Sequence, residues 1–310
     1  MVNKTDKIVD VDSLEAYLSN CQQIGFQASE LGRAREILKQ IRDDKQCTVF
    51  LGFTANLVAS GMRGYIAKII REELADVIVT TGGAIDHDVI KSIFSYKHGD
   101  FCADDYELHK HGINRIGDIF VKNNRYEELE KISYEVMQTA IEKYGQAVSP
   151  SELAAEYGNW ILKTKDYSYS FLAQAAKANI PVFSPGIIDS AIGLHTYFFK
   201  QKKEGKAFQI DVTKDLKKLA DITINSERTG AIVLGGGISK HHIIGVNILK
   251  NGLDYAVYIT TAHEYDGSLS GAKTKEAISW GKIKAKKSAK HCTVNCDVTI
   301  ALPLLLHEII

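Results

Sequence analysis

An amine that is to act as a nucleophile must first shed its proton, and one lysine in this chain has neighbours suited to that. Lys282 follows Trp280 and Gly281 at the end of Asp-Gly-Ser-Leu-Ser-Gly-Ala-Lys-Thr-Lys-Glu-Ala-Ile-Ser-Trp-Gly-Lys, residues 266–282. An indole beside the lysine stem shields it, while a glycine keeps the backbone thin enough for a substrate to approach. Apolar walls disfavour an ammonium and move its pKa toward the ~7–8 that suits catalysis at neutral pH. Such a lysine makes imines with carbonyl or imine substrates. The plainer alternative is a solvated run, because Lys284, Lys286, Lys287 and Lys290 follow closely. A proton acceptor for the same chemistry comes from Gly235-Gly236-Gly237-Ile238-Ser239-Lys240-His241-His242. Glycines at a strand's carboxyl end leave room for a ligand, and His241 lies within a turn of that place. Either of the two histidines can instead be a packing or capping residue.

The elements that must position these groups follow from the spacing of apolar residues. Gly267, Ser268, Ser270 and Gly271 crowd a loop. Thr274 is the expected cap of a short helix with Glu276 in its first turn, and Gly281 ends it. Short apolar runs read as strands at Cys47–Gly52, Asp76–Thr80, Ile180–Phe183, Gly230–Gly235, Asp254–Thr260 and Val294–Ile300, the last carrying Asp297. Helical periodicity fills the intervals, and from Ser13 to Arg42 it puts Leu14, Tyr17, Leu18, Cys21, Ile24 and Phe26 on one side. This alternation predicts an α/β fold, a doubly wound and mostly parallel sheet with helices on both faces and extra N-terminal helices. Its ligand crevice should lie along the carboxyl edge. Thr54-Ala55-Asn56 opens a helix after the first strand, where free amides and the helix dipole suit an anion such as a dinucleotide pyrophosphate. Gly-x-Gly-x-x-Gly is absent, so an ordinary strand-to-helix turn is the alternative. Thr81-Gly82-Gly83 forms a second such turn, and Asp86 and Asp88 beyond it could hold cationic groups or cap helices.

Length and charge set the outer bounds. The chain has 310 residues, with 38 basic against 38 acidic side chains. That balance gives no global field for nucleic acid or an anionic membrane. No apolar run is long enough to span a bilayer and Met1–Asp12 is too polar for a targeting signal, so the cytoplasm is the expected compartment. Five cysteines form no paired framework, and Cys292 with Cys296 is a weak metal signal, so no metal is expected. No composition shift divides the chain, which reads as one domain over 1–310 with residues 1–45 as a helical layer packed on it.

The segment from Glu264 through Ser279-Trp280-Gly281-Lys282 resembles the active-site segment of deoxyhypusine synthase, in which the lysine after Ser-Trp-Gly is the covalent nucleophile. The resemblance extends in order through Leu51-Gly-Phe-Thr-Ala-Asn-Leu, Val79-Thr-Thr-Gly-Gly, Gly112-Ile-Asn-Arg-Ile-Gly, Pro181-Val-Phe-Ser-Pro, Leu234-Gly-Gly-Gly with Lys240-His-His, and Asn251-Gly-Leu-Asp-Tyr-Ala-Val-Tyr. It implies a Rossmann-like domain in a homotetramer, with active sites at dimer interfaces and NAD as cofactor. By position, NAD contacts fall on Thr54, Ala55, Asn56, Leu57, Val58, Ala59, Thr81, Gly82, Gly83, Asp189, Gly236, Thr261, Ala262, Asp297 and Val298. The polyamine pocket falls on Asp86, His87, Gly267, Ser268, Glu276 and Trp280, with Lys282 as nucleophile and His241 as base. A cationic polyamine wants carboxylates and an aromatic face, which agrees with that set. The activity implied is NAD-dependent transfer of the aminobutyl group of spermidine, through an imine on the lysine, to a lysine of the translation initiation factor 5A precursor.

Three positions depart from the eukaryotic pattern. His87 stands where a second pocket acid is found, and Leu194 and Leu269 replace aspartates. These resemble the archaeal branch, and they remove negative charge from the amine site. Two other functions therefore stay in view: a homospermidine synthase-like enzyme using putrescine as acceptor, and an inactive NAD-binding partner subunit.

Overall fold

The computed structural model describes residues 12–286, 288–307 and 309–310. The chain folds into two compact units, one holding the residues up to Gly52 and from Ile222 onward, the other Phe53–Asp221.

The first unit opens with α1 (Leu14–Ile24), whose Ser13 cap accepts from the Ala16 amide, and α2 (Phe26–Asp43). Apolar spacing runs across both, in keeping with the helical pattern expected from Ser13 to Arg42. Gly25 at φ +99° and Phe26 at φ 48° interrupt it, and the interruption resets the phase. Phe26, expected on the inner side, is 98 % exposed, while Leu18 and Cys21 are buried. Strand β1 (Cys47–Phe53) follows.

In the second unit come α3 (Ala55–Ala59), α4 (Arg63–Arg71), β2 (Val77–Val79), α5 (Gly82–Lys91), β3 (Lys97–His98), α6 (Asp105–Lys110), β4 (Ile113–Ile116) and β5 (Ile119–Lys122). Next are α7 (Asn124–Tyr144), β6 (Ala147–Val148), α8 (Pro150–Ile161), α9 (Phe171–Ala178), β7 (Val182–Phe183), α10 (Ala191–Lys200), β8 (Gln209–Ile210) and α11 (Val212–Asn225). Strands β2 and β7 pair in parallel, Val79 opposite Phe183. The α8 start has the full set of helix-entry signals, with Pro150 at its first turn and Ser149 and Glu152 in a reciprocal capping box. The β4–β5 hairpin, with β3 beside β5, was not legible in advance. Its strands are four residues each and half exposed, too short to show an alternation.

Back in the first unit the chain makes β9 (Arg228–Leu234), α12 (Gly237–Val246), β10 (Tyr255–Thr260), α13 (Thr274–Ser279), β11 (Lys290–Asn295) and α14 (Val298–Leu306). The strand order here is β11-β10-β9-β1. Strands β9, β10 and β11 run parallel, with Val257 opposite both Ile232 and Cys292. Their apolar runs are continuous because both faces are covered: Ala231–Leu234 and Ala256–Ile259 are buried throughout. The chain is thus α/β with mostly parallel strands flanked by helices. The last strand ends earlier than its apolar run suggested. Asp297 does not lie in it but caps α14, its carboxylate accepting from the Thr299 amide at 2.8 Å, and a cap of that kind starts a helix. Among the described residues no helix is long and apolar enough to cross a membrane.

Candidate active site

In the first unit a cavity of about 310 Å3 is lined by Lys240, His241, Ile244, Tyr258, Gly267, Leu269, Ala272, Lys273, Glu276, Ala277, Trp280 and Lys282. Helix α12, the end of β10, the loop 261–273 and helix α13 build it. Each part has a local cause. Helix α13 begins one residue earlier than its capping signal suggested: Lys273 is the cap position, and the Thr274 amide donates to the Thr293 hydroxyl on β11 at 3.1 Å. It ends where Gly281 takes φ +67°. The Gly281 amide then reaches the Ile278 carbonyl at 3.0 Å and the Lys282 amide reaches the Ala277 carbonyl at 2.9 Å. Those two bonds close a left-handed helix terminus of the Schellman kind, which requires glycine at the penultimate place and throws the next residue out of the helix. Lys282 is that next residue. Its ammonium stands 5.1 Å from the centre of the Trp280 ring, which is itself largely exposed, and Lys282 is half-buried.

The loop is held by close approach. A Cβ on Gly271 would stand 1.7 Å from the His263 carbonyl oxygen, so only glycine fits. Lys240 ties the same loop to α12. Its side chain is 1 % exposed, its ammonium donates to the carbonyls of Leu269 at 2.8 Å and Ala272 at 2.5 Å, and it lies 4.5 Å from the centre of the Tyr258 ring. Burial pushes Lys240 down to about 8, with Glu276 pulling it up and the charge of Lys282 pressing it down. Lys240, a residue that was not among the expected site residues, is thus held low by its surroundings. The signal for it was available: Lys240, Ile243 and Ile244 share one stripe of α12, and a lysine on a buried stripe needs a reason. Tyr258 is fully buried and its hydroxyl has no partner.

Of the residues expected at the amine site, the structure brings His241, Gly267, Glu276, Trp280 and Lys282 around this one cavity. His242 is not part of its lining. Ser268 is on the same loop, exposed, its amide bonded to the Asp266 carboxylate at 2.7 Å. Asp86 and His87 belong to the second unit and are buried on α5. Asp86 accepts from the amides of Ala191 at 2.8 Å and Ile192 at 3.1 Å at the start of α10, and His87 Nδ1 is 2.8 Å from the Tyr96 hydroxyl. Asp88 caps α9 through the Leu172 amide while pairing with Arg63. Burial pushes the Asp86 carboxyl up to about 7, against the pull of the two amides, and burial with the Lys91 charge pushes His87 down to about 4.

The Asp86 shift has a measurable consequence. Its folded pKa lies above the unfolded one, so its stabilisation is complete below the ordinary carboxyl range and is lost as pH rises through about 7. His87 acts with the opposite sign over an overlapping range, and comparison with a variant at position 86 cancels it. The melting temperature of the Asp86→Asn variant should therefore fall less between pH 5 and 7.5 than that of the wild type. Parallel curves would show that Asp86 ionises like an ordinary carboxylate.

The places assigned to NAD sit after strand ends. In the first unit Gly236 caps α12, whose Gly237 amide donates to the Ser270 hydroxyl at 3.0 Å. Thr261 and Ala262 follow β10, and Asp297 and Val298 follow β11. In the second unit Thr54 and Thr81 cap α3 and α5 without any side-chain bond to the helix amides. The Thr81 hydroxyl is buried with no partner. Gly82 and Gly83 open α5, while Leu57, Val58 and Ala59 are buried and Asn56 is exposed. Asp189 is exposed on the turn after β7. Helix starts left open by side chains, with an orphaned hydroxyl beside one, fit the phosphates and polar edge of a dinucleotide.

A larger cavity, about 660 Å3, lies within the second unit. Arg63, Lys68, Arg71 and Lys91 line it against the single carboxylate of Asp166. That lining repels polyamines, so size does not decide which cavity takes the amine. Among the described residues no group of three or more His, Cys, Asp or Glu side chains is placed to hold a metal ion.

Comparison with known proteins agrees with the resemblance seen in the sequence. The family model described as Deoxyhypusine synthase matches residues 16–309. A protein of Thermococcus kodakarensis named as a probable deoxyhypusine synthase is 40 % identical over 309 residues, covering 97 % of this chain and 91 % of its own. One of the same name from Methanocaldococcus jannaschii is 43 % identical over 295 residues, covering 92 % and 89 %. A crystal structure provisionally assigned to the same enzyme, from Entamoeba histolytica, superposes with a TM-score of 0.69 at 23 % identity over 96 % of this chain and 92 % of that one. The last comparison speaks for the fold.

Proposed function

The chain belongs to the deoxyhypusine synthase family and is an enzyme of the transferase class, and from that premise we propose that it moves the aminobutyl group of spermidine onto a lysine of the translation initiation factor 5A precursor with NAD as cofactor. The observation that carries this reading is the convergence of Lys282, His241, Glu276 and Trp280 on one cavity. Glu276 holds a substrate ammonium, and Trp280 offers its face to the alkyl chain and to a second cation. His241 takes the proton that leaves the amine nitrogen as its carbon is oxidised. Lys282 attacks the imine carbon; a bond forms to its Nζ, and diaminopropane leaves with the electron pair of the broken C–N bond. The acceptor lysine then displaces Lys282 in the same sense. Bound NAD, held by Thr54–Ala59, Thr81–Gly83, Asp189, Gly236, Thr261, Ala262, Asp297 and Val298, would supply the hydride acceptor and return the hydride at the end. Paired subunits of a homotetramer complete the sites, a reading supported by the exposure of Leu194, Tyr197 and Phe198 on α10.

Incubation with labelled spermidine, NAD and either the factor precursor or putrescine tests the acceptor. Label should enter a lysine of the precursor; label appearing only in a free polyamine contradicts the reading. A narrower expectation concerns Glu276. Gln keeps the shape and removes the charge, so Glu276→Gln should raise the KM for spermidine by roughly 10- to 100-fold, the loss expected for one charge-assisted hydrogen bond. An unchanged KM would place the ammonium elsewhere.

A further inference from the structure

Helix α3 is five residues long, too short to hold its own geometry, yet its first turn is one of the places assigned to the cofactor. Within the second unit its carboxyl end meets a cation. The Lys91 ammonium donates to the carbonyls of Val58 at 3.1 Å, Ala59 at 2.9 Å and Ser60 at 2.6 Å. Three donors meet three orphaned acceptors, and a positive charge faces the negative end of the helix. Lys91 is itself the last residue of α5, whose first residues are Gly82 and Gly83. At that other end the two helices also touch, since a Cβ on Gly83 would lie 3.2 Å from the Ala55 Cβ. The short helix is thus pinned at both ends to the one beside it. Lys91 is fixed in turn: the guanidinium of Arg63 donates to its carbonyl at 3.3 Å, and the Tyr96 ring centre lies 5.3 Å from its ammonium.

We propose that Lys91 is a positioning residue for the reaction, a staple that sets the turn at Thr54 against the turn at Thr81 so that both can receive one dinucleotide. The inference rests on the reading of those turns as NAD contacts. It assigns work to a side chain that need not touch substrate or cofactor. Lysine suits the task because its compact ammonium has three rotatable donors, where arginine's planar fork does not match three carbonyls at one helix end.

The test compares wild type with Lys91→Met, which keeps the stem and removes the donors. Two quantities are read: the KM values for NAD and spermidine, and amide hydrogen exchange along the chain. The KM for NAD should rise about tenfold or more with the spermidine KM held, and exchange should accelerate in residues 54–62 while residues 147–162 keep their protection. An unchanged NAD KM overturns the proposal, as does acceleration throughout the second unit, which would make Lys91 a general support of the fold. Lys91→Arg should recover only part of the affinity, and full recovery counts against a fit to three carbonyls. Should wild type bind no NAD, the cofactor reading falls on that result, and local exchange at 54–62 still reports whether the staple holds.

Discussion

Replacing Lys282 by arginine should lower aminobutyl transfer by about a thousandfold or more while NAD binding and melting temperature stay near those of the wild type. Arginine keeps the charge and can rest against Trp280, so the cavity changes little in shape. It fails as a nucleophile because a guanidinium does not lose its proton in a protein. The backbone that presents residue 282 is set by Gly281 and the carbonyls of Ala277 and Ile278, and it does not depend on the side chain. Fold and chemistry separate cleanly at this position. A residual rate within tenfold of the wild type would remove Lys282 from the covalent role. Lys240 offers the natural comparison. Its ammonium is committed to the carbonyls of Leu269 and Ala272, so Lys240→Met should disturb the loop 267–272 and with it both binding and stability.

The largest effect on stability is expected at Asp88. Its carboxylate is fully buried, paired with Arg63 at 2.5 Å, and it accepts from the Ser170 hydroxyl at 2.7 Å and the Leu172 amide at 2.9 Å. Arg63 is buried with it, at 7 % side-chain exposure. Asp88→Ala leaves a charge and two donors without their acceptor, which costs roughly 3–5 kcal/mol, more than most substitutions. A chain of this size should then melt about 10 °C lower. Removing Arg63 as well takes away the stranded charge, so the double variant Arg63→Met with Asp88→Ala should regain part of the loss. A double variant less stable than Asp88→Ala alone would show that the cost comes from the cavity and the orphaned amide and not from the unpaired guanidinium. The measurement is calorimetric melting of the three variants beside the wild type.

Much of this architecture was legible because its strands are covered on both faces. Runs such as Ala231–Leu234 and Ala256–Ile259 have no polar side, and glycines or hydroxyl residues punctuate each of them at the carboxyl end. The group around Lys282 was legible for a different reason: His241, Gly267, Glu276, Trp280 and Lys282 sit on two short helices and one loop, so local turns are enough to bring most of them together. What escaped was set by tertiary context. The break at Gly25 is invisible to a periodicity that continues through it. Asp297 reads equally well as a strand end and as a cap until the Thr299 amide is seen bonded to it. Asp86 reads equally as a group for a cation and as a helix cap until the amides of Ala191 and Ile192, more than a hundred residues along the chain, are seen bonded to it. Lys91 looks like one more surface lysine, and the three carbonyls it reaches mark it as part of the frame, whereas Lys240 already stood on an apolar stripe of α12 before its two carbonyls were seen.

The covalent step can be caught directly. Enzyme turned over with labelled spermidine and NAD in the absence of acceptor, then reduced with borohydride and digested, should yield one labelled peptide, with the aminobutyl mass on Lys282. Label on Lys240, or none on any lysine of the cavity, would contradict the mechanism.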